Sequence, residues 1–352
     1  FLPTTGGALS GNLTITGNLS VDGGTIKLDG NYPTGTANVA LGDQALDSLS
    51  GGGYSVAIGN QALTAMTSGN DNVAVGQIAM TSTTTGSSNV AVGQNSMQVN
   101  TTGGSNTAVG ALALDANTTA SNNTAIGYSA LGANTTGALN TAVGTNALNA
   151  NTTGAENVAL GYNALSADVK GNNSIAIGSK ALQSQSFSTA TDAYNTAVGH
   201  NAGKSITTGA NNTALGGAAL ISNTTASDNT AVGRNALESN TTGTQNTAVG
   251  KNALDDNTTG NYNSALGYRA LFLNTTASRN TAVGYQAILT NTTGEDNTSV
   301  GYQALLNSTT AAQNTAIGKD ALKATTTAGS NTAVGYQAGL SNTTGTQITA
   351  IG

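Results

Sequence analysis

The chain has 352 residues, a formal net charge of −6 and only 7% charged residues, with no Cys, no Trp, two Pro and one His. The absence of Cys excludes disulfides, thiolate metal sites and cysteine nucleophiles. The ten Lys and Arg residues are scattered and form no basic stripe, so we expect no nucleic-acid partner. No run approaches the ~20 apolar residues of a membrane helix, so we expect no membrane insertion.

The first 30 residues have a six-residue rhythm, as in residues 11–16 and 17–22, in which apolar residues alternate as they do in short half-buried strands. So short a segment cannot enclose a core alone. We therefore expect residues 1–30 to form an intertwined fibre segment made by several copies of the chain. Residues 31–37, which include Pro33, are predicted to be a linker. Because the chain starts without Met and stops at a motif glycine, we expect it to belong to a longer protein.

Residues 38–352 repeat the motif Asn-Thr-Ala-Val-Gly every 17 residues in nineteen copies, with one four-residue insertion within residues 179–198. Such a fixed period indicates a solenoid, because each unit buries its apolar face only against its neighbours. The alternating motif predicts one short strand per coil, and the Ala-Leu pair after the glycine predicts a second. We therefore predict an all-β fold, a parallel β-solenoid with 17-residue coils. Stacking of strands 4.7–4.9 Å apart would give a rod on the order of 90 Å long.

Each place in the motif forms a column along the array. The aliphatic column, directly before the glycine, is expected to fill the coil, and the alanine column before it is expected to pack against another copy of the chain. Stacked motif asparagines such as Asn229, Asn246 and Asn263 are expected to hydrogen-bond from coil to coil. The glycine is expected at a tight turn with positive φ or at a crowded backbone. The candidate interface residues of the alanine column are Ala108, Ala125, Ala142, Ala231, Ala248 and Ala282.

Groups suited to catalysis are scarce in this sequence. His200 occupies the variable column directly after the glycine, where a surface position is expected. The acidic pairs at 255–256 and 295–296 are adjacent residues, which face apart on a strand and make poor metal clamps. We therefore predict that the protein is not an enzyme and has no catalytic residue, cofactor or metal site.

Two features are candidates for ligand recognition. Tyr268, Tyr285, Tyr302 and Tyr336 share the column after the glycine, and an exposed aromatic row would suit contact with a glycan. The alternative is that these rings pack on neighbouring coils or at a subunit interface. The insertion carries Phe187 and Tyr194. Insertions in solenoids often leave as loops on the binding face, and the alternative is a tolerated bulge.

Two resemblances follow from these residues. Ser-Val-Ala-Ile-Gly at 55–59 and Ser-Ile-Ala-Ile-Gly at 174–178, each with Ala three places on, resemble the repeat of YadA-like trimeric adhesin heads. That resemblance implies left-handed parallel β-rolls, three of which pack side by side as a homotrimer. Residues 1–14 and the Asn-Thr-Thr-Gly arrays resemble segments of bacteriophage tail fibres, in which such arrays precede a self-cleaving intramolecular chaperone.

The resemblances together imply a non-enzymatic homotrimeric fibre of a virion tail, which attaches a phage to its bacterial host. The expected partners are further copies of the chain, a bacterial surface glycan or protein receptor, and other virion tail components. The alternative is the head of a bacterial trimeric autotransporter adhesin at the bacterial cell surface. As a third hypothesis, rows of Thr on a flat solenoid could bind ice.

Overall fold

The computed structural model describes residue 16 and residues 36–352. Nearly all of the predicted fibre segment 1–30 and most of the predicted linker 31–37 lie outside this range. The described part of the chain is all-β and contains no helix: a 19-stranded parallel sheet runs its whole length, and a 2-stranded sheet lies beside it. The predicted parallel β-solenoid with 17-residue coils is confirmed.

One three-residue strand per coil builds the large sheet. Each strand pairs in parallel with the strand of the next coil, so that Ala108 lies beside Ala125 and Val109 beside Ile126. The strands of this sheet are β1 (Val39–Leu41), β2 (Val56–Ile58), β3 (Val73–Val75), β4 (Val90–Val92), β5 (Thr107–Val109), β6 (Thr124–Ile126), β7 (Thr141–Val143), β8 (Val158–Leu160), β10 (Ile175–Ile177), β12 (Thr196–Val198), β13 (Thr213–Leu215), β14 (Thr230–Val232), β15 (Thr247–Val249), β16 (Ser264–Leu266), β17 (Thr281–Val283), β18 (Thr298–Val300), β19 (Thr315–Ile317), β20 (Thr332–Val334) and β21 (Thr349–Ile351). The two-stranded sheet consists of β9 (Gly171–Asn172) and β11 (Thr191–Asp192).

The second strand predicted for the Ala-Leu pair is wrong, because that segment is a run of turns. In the coil that begins at Gly110, Leu112 and Leu114 have φ of 58° and 53°, left-handed values that bend the chain and prevent an extended strand. The turns are nevertheless paired from coil to coil: the Leu114 amide donates to the carbonyl of Ala130 at 3.0 Å. The opposite wall of the solenoid is therefore a ladder of turns.

The assignment of the strand faces is also reversed. Ala108, Ala125, Ala142, Ala231, Ala248 and Ala282, the candidate interface residues, all have 0% exposure and belong to the core. The aliphatic column, predicted to fill the coil, instead points outward; Ile126 is 39% exposed and Leu266 is 51% exposed. The alanine column therefore cannot contact another chain.

The width of the coil explains why alanine lies inside. The leucine column, four places after the glycine, projects from the turn wall toward the sheet and is fully buried, as for Leu114 and Leu254. Residue 339 belongs to this column, and a Cβ at Gly339 would lie 3.7 Å from the Cβ of Ala350 in the alanine column. The two walls are therefore so close that a leucine from one side leaves room for only a methyl group on the other.

Both expected roles of the motif glycine are confirmed. Gly110 has φ of 134°, where residues with a side chain are disfavoured, and a Cβ there would lie 2.5 Å from the carbonyl oxygen of Gly127 in the next coil. The glycine therefore permits the turn and also permits the close approach of successive coils.

The predicted asparagine ladder is confirmed, and a second ladder lies beside it. The Asn246 side chain accepts a hydrogen bond from the Asn263 amide at 2.9 Å and donates to the Gly260 carbonyl at 2.8 Å. Asn257, from an Asn-Thr-Thr segment, donates to Asn240 Oδ1 at 2.8 Å and to the same Gly260 carbonyl at 3.1 Å. Because Asn246 and Asn257 have no exposed surface, these bonds satisfy buried polar groups of their coils. Elsewhere in the ladders, Asn151 Oδ1 and Asn331 Nδ2 are buried without a partner among the described residues.

Candidate recognition surfaces

The outer face of the large sheet is an apolar stripe that runs along the rod. We call it the sheet face; it consists of the aliphatic column and of the Thr or Val two places earlier. The aliphatic residues that are between 36% and 51% exposed are Leu41, Ile58, Val92, Ile126, Ile177, Leu215, Leu266, Val300, Ile317 and Val334. The row two places earlier is threonine in most coils, so the aliphatic row supplies most of the apolar surface. Exposed apolar surface that recurs in this way typically marks an interaction site.

Three of the four candidate tyrosines stack on one another in the column after the glycine. The ring centroids of Tyr268 and Tyr285 are 5.3 Å apart with an interplanar angle of 20°, and those of Tyr285 and Tyr302 are 5.1 Å apart with an angle of 6°. Tyr285 is 42% exposed, Tyr302 46% and Tyr336 62%. The rings therefore pack on neighbouring coils and also reach solvent, so that their edges are more accessible than their faces.

Cations flank this stack in the same column. Lys251 Nζ lies 6.0 Å from the ring centroid of Tyr268, and Lys319 Nζ lies between two rings, 5.8 Å from that of Tyr302 and 5.5 Å from that of Tyr336. We call the row formed by Lys251, Tyr268, Tyr285, Tyr302, Lys319 and Tyr336 the aromatic ridge. The two lysines are not among the residues predicted from the sequence, although their position directly after the glycine puts them in the same column.

Arg269 adds a third cation at the edge of the aromatic ridge. Its guanidinium carbon lies 5.6 Å from the ring centroid of Tyr268 and 4.6 Å from that of Phe272, so the group is held between two rings. The Nε atom is buried and has no hydrogen-bond partner among the described residues. Among those residues neither Arg269 nor the two ridge lysines form an ion pair.

A row of side-chain amides lies next to the ridge. Gln303 donates to Gln286 Oε1 at 2.8 Å and accepts from Lys323 Nζ at 2.7 Å. Lys323 also pairs with Asp320 at 2.9 Å, so the charge of that aspartate is already neutralised by a neighbour. The polar surface beside the aromatic rings therefore contains no unpaired carboxylate at this end of the array.

The insertion is folded onto the rod. Strands β9 and β11 pair across it, and Phe187 is only 6% exposed, so this candidate ligand-binding residue lies within the fold of the single chain. Asp168 and Gln185 take the places of asparagines in the second ladder, and Gln185 Nε2 donates to Asp168 Oδ2 at 2.7 Å. Asp168 Oδ1 also accepts from the Phe187 amide at 3.3 Å, which anchors the inserted segment.

Tyr194 lies at a turn five residues before the next motif glycine and is 57% exposed. Tyr54 and Tyr262 occupy the same turn position in other coils and have exposures of 62% and 58%. All three have positive φ, between 47° and 59°. The structure therefore separates the two residues proposed for the insertion: Tyr194 belongs to a recurring turn column, and Phe187 belongs to the interior.

Two stacked carboxylates, Glu238 and Asp255, lie on the turn wall in the column that Phe272 continues, and the Asp256 amide donates to the Phe272 carbonyl at 3.1 Å. Burial and the negative charges of Glu238 and Asp256 raise the pKa of Asp255 to about 6, although the hydrogen bond donated by Asn252 at 2.9 Å opposes the shift. Asn235 donates to Glu238 in the preceding coil. A turn asparagine thus partners each of the two stacked carboxylates.

The described residues offer few other groups suited to catalysis or metal binding. His200 is exposed, and its Nε2 lies 3.0 Å from the amide nitrogen of the neighbouring Asn201. Residues 36–352 contain no group of three His, Asp or Glu side chains arranged to hold a metal ion. The same range has no apolar helix of the length that crosses a membrane.

The threonines of the Asn-Thr-Thr segments have two different environments. The first is half-buried, and its hydroxyl donates to the backbone of the next coil, as Thr258 does to the Thr275 carbonyl at 3.0 Å. The second, such as Thr259, is exposed. Only one of the two threonine rows therefore faces solvent.

Comparison with known proteins adds no relative that would explain these surfaces. No family model matches the chain, and no curated protein shows significant similarity to it.

Proposed function

We propose that the protein is a non-enzymatic fibre of a phage tail, in which three copies of the chain assemble into a rod that attaches the virion to a bacterial surface. The observation that carries this proposal is the combination of an uninterrupted solenoid with two long surface rows of different chemistry. The sheet face is apolar and suits assembly, whereas the aromatic ridge is polar, cationic and suits recognition.

Assembly through the sheet face follows from its composition. Parallel sheets are normally covered on both faces, and in the single chain the outer face exposes an aliphatic residue in coil after coil, such as Leu215 at 46% and Leu266 at 51%. The interface assigned to the alanine column therefore moves to the neighbouring aliphatic column.

The periodicity favours a further copy of the same chain as the partner. Strand stacking sets an axial repeat of about 4.7–4.9 Å in any parallel β-solenoid. A second copy of this chain has that repeat and also presents the same aliphatic column, so every coil can meet its equivalent along the whole rod. A partner with another repeat would lose register after a few coils. The number of three copies comes from the resemblance to YadA-like heads.

Attachment to a glycan or protein receptor is assigned to positions where the repeat varies. Tyr268, Tyr285, Tyr302 and Tyr336 form part of one continuous row, and Tyr194 is a separate exposed candidate. Three equal sites on one fibre, repeated over several fibres, would convert weak contacts into firm attachment by raising the effective concentration.

The proposal is tested by adsorption of the purified, fluorescently labelled protein to a panel of bacterial strains. We expect saturable binding to a subset of strains, and a loss of that binding after periodate oxidation of the surface glycans or protease treatment of the surface proteins. If the protein adsorbed to no bacterial strain and bound animal matrix proteins instead, the phage assignment would be wrong and the adhesin alternative would replace it.

A further inference from the structure

We propose that the aromatic ridge binds a linear acidic polysaccharide, with the sugar chain lying along the rod axis and its carboxylates paired with Lys251 and Lys319. This inference rests on the proposed attachment function and adds the chemical class of the receptor. It depends on the geometry of the stack, on the unpaired cations and on the spacing of the coils.

The stacking of the tyrosines determines which contacts a ligand can make. Tyr285 has a ring on each side, at 5.3 Å and 5.1 Å, so a sugar cannot be sandwiched against its faces. The ridge instead offers ring edges and hydroxyl groups. The Tyr268, Tyr285 and Tyr302 hydroxyls form no hydrogen bond with any described residue, which leaves them free to bond to sugar hydroxyls and carboxylates.

The charge of the ridge selects an anionic ligand. Lys251, Arg269 and Lys319 contact aromatic rings and are not neutralised by carboxylates among the described residues. Asp320, next to Lys319 in sequence, pairs with Lys323. The column from residue 251 to residue 336 holds two lysines and no carboxylate, although the chain as a whole has a net charge of −6. Such a row attracts an anionic group.

The spacing of these groups fits a polymer better than a small ligand. Lys251 and Lys319 lie four coils apart, which corresponds to about 19 Å along the axis, and the three stacked tyrosines fill the interval. A single monosaccharide would reach only one lysine. An extended acidic polysaccharide can meet both lysines and all three hydroxyls at once.

Polygalacturonate and its fully methyl-esterified form provide a matched pair of probes, because they share a backbone and differ in charge. We expect the wild-type protein to bind the acid and to bind the ester at least tenfold more weakly, roughly the effect of losing charge-assisted contacts. The affinity for the acid should fall as salt is raised. Equal affinity for the acid and the ester would overturn the inference.

The double variant Lys251→Gln/Lys319→Gln tests the position of the site. We expect it to lose about tenfold or more in affinity for polygalacturonate, as removal of two charge-assisted contacts implies. The control is Lys180→Gln/Lys204→Gln, which changes the net charge equally at two lysines elsewhere on the rod and should bind as the wild type does. Circular dichroism checks that both proteins are folded. Equal losses in the two variants would refute a site at the ridge.

Cell adsorption separates this inference from the proposed function. If Lys251→Gln/Lys319→Gln adsorbed to susceptible bacteria as well as the wild type, the acidic-polysaccharide inference would fail and attachment would stand. If the wild type bound polygalacturonate but adsorbed to no bacterial strain, the ridge would keep its ligand class and the attachment function would fail. If Lys251→Gln/Lys319→Gln lost adsorption and the control Lys180→Gln/Lys204→Gln kept it, both the acidic-polysaccharide inference and the attachment function would be supported.

Discussion

In most coils, the alanine methyl group of the strand faces a leucine from the turn wall, while the aliphatic residue that follows the alanine faces outward. Ala248 has no exposed surface, and Leu254 of the same coil is equally buried. The apolar interior of this coil is therefore filled by Leu254 together with two small residues, Ala248 and the equally buried Ala253. Ser299, the one departure from alanine at this position, keeps the size and satisfies its hydroxyl by donating to the Ala304 carbonyl at 2.9 Å.

A substitution of Ala248 tests this arrangement. Ala248→Leu should destabilise the fold by about 1–3 kcal/mol, since it overpacks a closed interior. The control is Val249→Leu on the outer face, where Leu266 occurs naturally, and it should leave the free energy of unfolding of the isolated chain within about 0.5 kcal/mol. Denaturant unfolding measures both changes. A larger effect at Val249 than at Ala248 would mean that the two faces are reversed.

The pH dependence of stability should contain a contribution from Asp255. Its pKa rises from 3.8 to about 6 on folding, so the folded state binds the proton more tightly. The contribution of the protonated Asp255 to the free energy of unfolding is full below pH 4 and is lost as the pH rises through 6. Asp255→Asn removes the carboxylate, so it should be more stable than the wild type at pH 7.

The advantage of Asp255→Asn should shrink as the pH falls toward 4. Denaturant midpoints measured across this range follow the difference between the two proteins. The exposed Asp228 provides the control, and Asp228→Asn should show the wild-type profile. If the stability of Asp255→Asn had the same pH dependence as that of the wild type, the titration of Asp255 would not be its cause.

The individual coil keeps its internal volume even where its sequence departs from the repeat. Gly203 replaces the usual leucine, and Ile206 replaces an asparagine of the second ladder. A Cβ at Gly203 would lie 3.0 Å from Ile206 Cδ1 and 3.0 Å from Leu182 Cδ2, so the isoleucine occupies the space that the leucine fills elsewhere. The two departures compensate each other.

A double-mutant cycle tests this compensation. Gly203→Leu alone should crowd Ile206, and Ile206→Asn alone should leave a void, so each should lower the free energy of unfolding. The double variant restores the common Leu and Asn pair, and we expect a favourable coupling of about 0.5–3 kcal/mol. Additive losses in denaturant unfolding would show that the two sites are independent.

The asparagine ladders provide the polar counterpart of this interior. Asn246→Ala removes the acceptor of the Asn263 amide, a bond of 2.9 Å in a fully buried site. An unsatisfied buried donor should cost about 1–3 kcal/mol. Hydrogen exchange of the Asn263 amide should accelerate accordingly, whereas Thr259→Ala on the exposed threonine row should leave its rate unchanged. No difference between these variants would contradict the role of the ladder.

The repeat predicts the coil better than it predicts the surfaces. The 17-residue period is sufficient for the solenoid, because a fixed period requires stacking of equivalent units. Alternation in Thr107-Ala108-Val109 separates two faces but does not say which is inside; that depends on the distance to Leu114 across the coil, which the strand sequence does not contain. The turns at the Ala-Leu pair could not be predicted from the sequence either, because leucine rarely adopts the left-handed φ values that it has here.

The candidate recognition surfaces could also be predicted only in part from the sequence. The shared column of Tyr268, Tyr285 and Tyr302 was visible in the sequence, and parallel stacking makes such a column a row in space. The flanking lysines occupy the same column in the sequence, but a prediction based on aromatic side chains does not include them. The burial of Phe187 could not be read from the insertion, because it depends on how Asp168 and Gln185 reorganise the second ladder beneath it.

At the scale of the whole molecule, the rod has a sheet face, to which we assign assembly, and an aromatic ridge, to which we assign recognition. The sheet face repeats without interruption along the large sheet, whereas the aromatic ridge is confined to coils between residues 251 and 336. We therefore expect assembly to depend on the repeat as a whole and recognition to depend on a few coils. Substitutions on the aromatic ridge should change ligand binding and leave the oligomeric state intact.

The most direct test of the proposed assembly is the molar mass of the native protein, measured by multi-angle light scattering. The proposed trimer requires about three times the 34.3 kDa of one chain. The double variant Leu215→Lys/Leu266→Lys, which places charges on the sheet face, should dissociate to folded monomers, whereas Thr225→Lys/Thr276→Lys on the exposed threonine row should remain a trimer. A wild-type protein that is a well-folded monomer would contradict the proposed assembly.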